Sequence, residues 1–586
     1  MNISLFLVFG LPLLSGIALS LFGEREGLKK NLTLVVFLLA LLSSAYLFFQ
    51  PQPHWSRVLF NHYTLTLGLD RLSRLILVFA NLLGFLVCLY SKDYMSARRG
   101  YFSWLLLLLA FTNLELLAVE FSVFLLAWAG SIITLYALLK PGSGLSAKKA
   151  ATILGFSWLC FAAGAYIYFR ISGTCNMFGG MSIAMNRLFP WLGFCLMLCG
   201  GLAKMGSGPF HTWIPTAGAS APVTVMAILP ASLDKLLGVY ILSRICLDFF
   251  ILNDFAAGLM LIIGSLTIIF AVLMALVQHD LRELLAYHAV SQAGYMVLGL
   301  GTGNPIGIIG AIFHMFNNAI YKNGLFLVGG AVEKKKGTFD LEKLGGLSRY
   351  MPLTFLGGLI LALSISGVPP FNGFASKWMI YQAAFLGLGS STAVWLRFIY
   401  AFSLIAAMFG SALTLASFIK FIHAIFLGQD NNPGKKEMGE ASAGMLIPIL
   451  ALAGLCVLLG IFSHGFINGW LAPSFPFVLK YGGAWESASV ALFFGLALIL
   501  GLIVWRGTAG SRKIREDGFF VGGESAYGSP DFPATEFYRT IEELPYLAGV
   551  YRFLRSEKWD VYNILNRVLK VFYFIFGLGW IFKRGK

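Results

Sequence analysis

The chain is 586 residues long, 58% hydrophobic, 15% aromatic and only 12% charged. A soluble domain is about 45–50% apolar and about 25% charged, so a string of water-soluble domains is excluded and the chain is read as an integral membrane protein. Its net charge of +16 sits in short loops between apolar runs, a pattern better read as membrane topology than as a nucleic-acid surface.

Apolar stretches of spanning length fall near 2–22, 31–49, 70–91, 101–119, 121–139, 150–171, 188–205, 222–247, 254–277, 283–301, 306–330, 353–389, 395–426, 443–463, 487–505 and 564–582. At about 20 residues per crossing they predict about 16 transmembrane helices, an all-α polytopic membrane protein. Barrel strands would be about 10 residues long and alternating. The first stretch, MNISLFLVFGLPLLSGIALSLFGERE, lacks a basic leader and a small-residue cleavage site, and is expected to stay as a span.

Loops after odd-numbered spans hold most of the Lys and Arg: Arg25, Lys29 and Lys30; Lys92, Arg98 and Arg99; Lys140, Lys148 and Lys149; Lys334, Lys335 and Lys336; Lys435 and Lys436. The opposite loops hold little beyond Arg57 and Arg187. Positive-inside bias predicts a multi-pass protein of the cell inner (cytoplasmic) membrane with those loops in the cytoplasm and both termini outside.

Two spans are interrupted, one at Lys204-Met-Gly206-Ser-Gly208-Pro209-Phe210 and one at Ser366-Gly367-Val-Pro369-Pro370-Phe371, followed by Lys377. Gly and Pro within a span free backbone groups that need partners, so such breaks line cavities. The breaks lie five spans apart, an odd number, so the two broken helices are expected to cross in opposite senses, as in inverted repeats with an ion site at the midplane. The expected organisation is N-terminal helices over 1–100, a first five-helix repeat over 101–250, a second over 251–426, and C-terminal helices over 427–506. The segment 507–586 then supplies a cytoplasmic-side loop, a lateral amphipathic helix after about residue 533, where Tyr, Leu, Phe and Trp alternate with Arg and Lys, and a last span.

The seven cysteines are scattered, and Cys195 and Cys199 share a helix face without a CxxC or a His cluster. No metal site, disulfide framework or cofactor is therefore expected. Ionisable groups are different. Each costs roughly 2.5–3.5 kcal/mol inside a span on insertion scales, yet Glu115, Lys204, Asp234, Lys235, His288, His314, Lys322 and Lys377 all fall there. Each has a bland alternative: a snorkelling Glu115, a self-neutralising Asp234–Lys235 pair, a satisfied core His288. His314, Asn318 and Lys322 stand at i, i+4 and i+8 on one helix face, which is hard to read as packing alone. Four buried lysines without four carboxylates suit a proton relay, because an ammonium taken out of water gives up its proton more readily. No nucleophile–base pair or phosphate loop accompanies them, so bond-making chemistry is not expected of this chain.

The runs VQHDLRELLAYHAVSQAGYMVLGLG, AIFHMFNNAIYKNGLFL and LGGLSRYMPLTFLGGLILALSISGVPPFNGFASK closely resemble the antiporter-like subunits of respiratory complex I, of Mrp sodium/proton antiporters and of energy-converting membrane hydrogenases. LAKMGSGPFHTWIPTAGASAPVTVMAILPASLDKLLGVYILSR adds that family's other signature region, and the resemblance covers roughly 60–430. It implies fourteen core helices with two inverted five-helix repeats. Lys204 then resembles the broken-helix lysine of the first half-channel and Lys235 the bridging lysine one span later. His314 and Lys322 resemble the central relay, and Lys377 the terminal lysine. Two positions depart from the pattern: Asn318 stands where a second His is frequent, and the family's fifth-span Trp-Glu appears as Trp128-Ala129. With that glutamate missing, Glu115 is the expected charge partner of Lys204.

Three functions are compatible with these residues: a proton-translocating subunit of a redox-driven complex, a cation/proton antiporter subunit of Mrp type, or a scaffold that kept the fold but lost pumping. Solute transport is weaker, with no dedicated pocket in view. The expected partners are other membrane subunits of a complex I-like or hydrogenase complex, the lipid bilayer, and protons, with sodium left open. About 40 tail residues reach at most about 60 Å as helix, a short arm that suits a smaller assembly such as a hydrogenase or formate hydrogenlyase membrane arm. Lys204, Lys235, His314, Lys322 and Lys377 are expected to line one hydrated axis.

Overall fold

The computed structural model describes residues 3–21, 26–60, 63–95, 100–428, 439–479, 487–507, 534–556 and 560–575. Arg25, Arg98, Arg99, Lys435, Lys436, the segment 508–533 and the end of the last predicted span, 576–582, lie outside the described residues. The apolar runs fold into long helices: α1 Ile3–Leu21, α2 Glu26–Phe49, α3 Arg71–Tyr94, α4 Tyr101–Leu117, α5 Phe121–Leu139, α6 Gly144–Ser172 and α7 Leu188–Met205, with the short α8, Trp213–Gly218, after them. Then come α9 Val223–Phe249, α10 Asp254–Leu276, α11 Leu281–Gly301, α12 Pro305–Lys336, α13 Pro352–Ser366, α14 Asn372–Ser390, α15 Val394–Leu427, α16 Ala443–Ile461 and α17 Ser487–Gly507. Local capping fixes several starts. The Asp70 carboxylate accepts from Ser73 N at 2.8 Å to open α3, and Asn304 accepts from Ile306 N at 3.0 Å ahead of Pro305 to open α12.

Among the described residues eleven helices are long and apolar enough to cross a membrane, with α4 and α13 as shorter apolar helices. The helices α11, α12 and α14 fall outside that set because polar His, Asn, Gln and Lys residues interrupt their apolar runs. Two short strand pairings among the described residues depart from the helical expectation: Ile183–Ala184 pairs parallel with Phe250–Ile251, and a longer pair lies near the N-terminus. His54–Phe60 (β1) pairs antiparallel with Tyr63–Gly68 (β2), Trp55 opposite Leu67, between α2 and α3.

The two breaks share one local structure. Both read Gly-x-x-Pro-Phe. Gly206 ends α7 with φ 72° and Gly367 ends α13 with φ 78°, the left-handed region that a Cβ disfavours. Ser207 N then donates to Leu202 O at 2.8 Å, and Val368 N to Leu363 O at 3.0 Å, tying up the last carbonyls in the same way. The helices beyond the two turns differ: the six-residue α8 in the first case, the 19-residue α14 in the second.

The amphipathic pattern of the tail predicts a lateral helix with an apolar stripe to cover. Over its described residues the tail lies on this chain. In α18, Pro545–Arg555, the residues Leu547, Tyr551 and Leu554 repeat at helical spacing and pack on Leu273, Met274, Leu276 and Val277 at the end of α10. Tyr551 is buried and donates to Leu273 O at 3.1 Å, and Tyr538 donates to Ala416 O at 2.9 Å. The Asp560 carboxylate, just before α19 (Val561–Ile575), pairs with Lys149 of α6 and accepts from Thr212 at 2.7 Å. The apolar stripe of the tail is thus covered in part by the end of α10.

Candidate functional site

The ionisable residues predicted inside spans are all buried. Lys204 and Lys377 are 1% exposed, Asp234 is 4%, and Glu115, Lys235, His288, His314 and Lys322 are fully enclosed. No lysine of the set faces the lipid side.

At the first break, Lys204 near the end of α7 points between α4 and α5. Its ammonium lies 3.0 Å from Glu115 Oε2, 3.5 Å from Ser131 Oγ and 3.8 Å from Asp234 Oδ1, and it stands 4.8 Å from the centre of the Trp128 ring. A buried ammonium is therefore answered by two carboxylates and an aromatic face, the compensation that burial of charge requires. Ala129 is half-buried, and the partner of Lys204 comes from α4.

Lys235, next in the chain to Asp234, reaches back to the break. It donates to Met205 O, the carbonyl just before Gly206, and to Ala289 O at 3.0 Å. Gly238, one turn further along α9, makes this approach possible: a Cβ there would stand 2.5 Å from Met205 N. At the second break Lys377 does the corresponding work, donating to Ile365 O at 2.9 Å from the following helix and resting 4.9 Å from the centre of the Tyr295 ring. In both halves a lysine ammonium caps a carbonyl at the interrupted helix end, where the aligned backbone dipoles concentrate negative charge.

Helix α11 connects the two halves. Its carbonyls at Leu285 and Ala289 accept from Lys322 (2.7 Å) and Lys235. Its side chains at 288, 292 and 295 share one face. His288 Nε2 lies 2.7 Å from Ser417 Oγ on α15. Gln292 Oε1 lies 3.1 Å from His314 Nε2, and His314 Nδ1 lies 2.9 Å from Ser376 Oγ, the neighbour of Lys377. Between His314 and Lys322, both amide atoms of the buried Asn318 have no partner among the described residues; the same holds for His288 Nδ1 and Gln292 Nε2. Sequence alone thus locates the charged members and misses Ser131, Gln292, Ser376 and Ser417. For Gln292 a signal is present, its i+4 spacing from His288.

Gly206, Gly208, Pro209, Gly367, Pro369 and Pro370 occupy the turns that part α7 from α8 and α13 from α14. Buried ionisable residues of this kind, held on interrupted helices inside a bundle of apolar helices, define an integral membrane protein of the interrupted-helix class. The family described as "NADH:quinone oxidoreductase/Mrp antiporter, TM" matches residues 118–410, and "NADH-Ubiquinone oxidoreductase (complex I), chain 5 N-terminus" matches 55–103. The chain belongs to this family of antiporter-like membrane subunits.

One relative is a Na(+)/H(+) antiporter subunit A1 from Staphylococcus haemolyticus, 30% identical over 75% of this chain and 57% of that protein. Hydrogenase-4 component B from Escherichia coli is 27% identical over 75% of this chain and 68% of that protein. The chain thus spans a little over half to two thirds of the length of these relatives. In fold it is similar to a chain of the membrane-bound sulfane sulfur reductase, an archaeal respiratory membrane complex, with a TM-score of 0.81 at 22% identity, over 98% of this chain and 95% of the other.

Proposed function

We propose that this chain is the proton-translocating, non-catalytic subunit of a redox-driven membrane complex of the energy-converting hydrogenase or formate hydrogenlyase type. Protons move along Glu115, Lys204, Asp234, Lys235, His288, Lys322, His314 and Lys377. The observation that carries this reading is the row itself: buried lysines and histidines, each with a partner, run from one break to the other across α11. Ordered water completes the row at Asn318, His288 Nδ1 and Gln292 Nε2, since buried polar groups of this kind are met by water. The five-helix repeats 101–250 and 251–426 each supply one half, within about 16 spans and with both termini outside. Other membrane subunits hold the chain in its complex.

The likeness to hydrogenase-4 component B and to a chain of an archaeal respiratory complex over 98% of this chain supports the redox-driven form. A second reading, a cation/proton antiporter subunit with sodium as the exchanged ion, is supported by the 30% identity to the staphylococcal antiporter subunit. The proteins that co-purify with this chain separate the two: oxidoreductase subunits favour the first, antiporter subunits alone the second. Glu115→Gln removes the charge that faces Lys204. In vesicles holding the whole complex, proton uptake per redox turnover, or per sodium ion exchanged in the second reading, is expected to fall severalfold. Unchanged coupling would remove Glu115 from the relay.

A further inference from the structure

A second polar feature lies away from the relay, at the end of the bundle that carries the basic loops. A cavity of about 810 Å³ opens between α5, α6 and the tail helix α19, lined among others by Tyr136, Lys148, Thr152, Tyr562, Asn566 and Arg567. No carboxylate is among its described lining residues. The contrast with the adjacent lysine is informative. Lys149 is buried and paired with Asp560. Lys148, one residue earlier, is exposed and has no acidic partner among the described residues, and Arg567, reaching in from α19, is in the same position. Two cations share one cavity and repel across it.

The surface beyond the cavity is apolar. Along α6, Lys148 and Thr152 continue at helical spacing into Phe156 and Leu159, and along α5 the turn before Tyr136 carries Ile133; all three apolar residues are exposed. On α19, Ile564 and Val568 are exposed on the same element as Arg567. From the basic-loop end inward the surface runs cation, hydroxyl and amide, aromatic, aliphatic. A phospholipid has that order: phosphate, ester-bearing glycerol, acyl chain. A free inorganic anion has no use for the apolar wall, and a zwitterionic headgroup cancels part of the attraction to two uncompensated cations. Basic pockets between membrane helices bind acidic headgroups for these reasons.

We infer that the groove between α5, α6 and α19 is a binding site for one anionic phospholipid, its phosphate set between Lys148 and Arg567 and its acyl chain along Phe156, Leu159 and Ile133. The bound lipid removes the repulsion between the bundle and the tail helix and fastens α19 to α6.

The test uses the full-length protein in its complex, reconstituted in nanodiscs of phosphatidylglycerol or phosphatidylcholine and then stripped with mild detergent. Retained lipid is counted by mass spectrometry, and the tail is probed by limited proteolysis. The wild type is expected to hold one phosphatidylglycerol about 30-fold more tightly than phosphatidylcholine, from two basic contacts, and to protect its tail only in the anionic discs. Lys148→Ala/Arg567→Ala is expected to lose both the retained lipid and the protection. Lys148→Arg/Arg567→Lys keeps both charges and retains the lipid, which separates a lost site from a damaged fold. Equal retention in the wild type and the alanine double variant overturns the site. So does equal retention of phosphatidylcholine, or protection of the tail by inorganic phosphate alone.

Discussion

The first and second breaks begin from the same Gly-x-x-Pro-Phe turn and diverge in how they settle a buried ammonium. Lys204 precedes its break and meets Glu115 at 3.0 Å and Asp234 at 3.8 Å. Lys377 comes after its break and, among the described residues, meets no carboxylate within ion-pair distance; it has the Ile365 carbonyl at 2.9 Å and the Tyr295 ring. The aromatic contact is nearly the same in both, 4.8 Å to Trp128 and 4.9 Å to Tyr295. The difference is therefore one of counter-charge. The first site holds a full ion pair, and the second relies on backbone and ring dipoles, which stabilise a charge less. In the relay proposed above, the most strongly compensated cation therefore stands at the first break.

The largest effect expected from that comparison is on the fold. Lys204→Met leaves Glu115 and Asp234 as buried acids without their cation, and breaking such a pair costs about 3–5 kcal/mol. Thermal denaturation of the purified protein should show a clear drop, and the double variant Lys204→Met/Glu115→Gln should recover part of it. Failure of the double variant to recover would mean that the pair is not what stabilises this site.

Lys377→Met leaves only a carbonyl without its donor, at a cost of about 1–3 kcal/mol. Its melting transition should fall less than that of Lys204→Met, while on the proposed relay proton translocation is expected to be lost in both. Equal destabilisation would erase the distinction drawn between the breaks. Trp128→Leu removes one aromatic face and should weaken the first site by about 0.5–2 kcal/mol, with Glu115 still in place. The smallest change expected in translocation is that of Tyr295→Phe. It keeps the ring over Lys377 and gives up the hydroxyl's bonds to Ala407 O at 2.7 Å and Ser411 Oγ at 3.0 Å, each worth about 0.5–1.5 kcal/mol, so stability should fall modestly and translocation hardly at all.

Much of this architecture is legible in the sequence, for identifiable reasons. Long apolar runs fix where helices lie, and the Gly and Pro residues at 206–209 and 367–370 announce the breaks because no uninterrupted helix accommodates them. Charged residues in spans stand out because they are rare there. Convergence does not stand out. That Glu115 is an acid within the span next to that of Trp128-Ala129 can be read from the chain, but that α4 and α7 bring it to 3.0 Å from Lys204 is a property of packing. Ser376 and Ser417 escape notice because a serine in a span is cheap and common. The β1–β2 hairpin escapes because its strands are short and adjoin apolar helices. The tail shows the same limit in another form: an amphipathic pattern says that Tyr551 and Leu554 must meet something apolar, and is silent on whose surface supplies it.

The lysine caps on Met205 O and Ile365 O have a consequence for how this protein can vary. One member of each contact is main chain, and no codon change deletes a carbonyl. Drift and mutagenesis can alter the donor but never the acceptor, so a side-chain scan of the second half would credit Lys377 with the whole interaction and leave its partner unseen. Only a change in the backbone itself, such as an amide-to-ester replacement between Ile365 and Ser366, would weaken that acceptor and expose the other half of the contact.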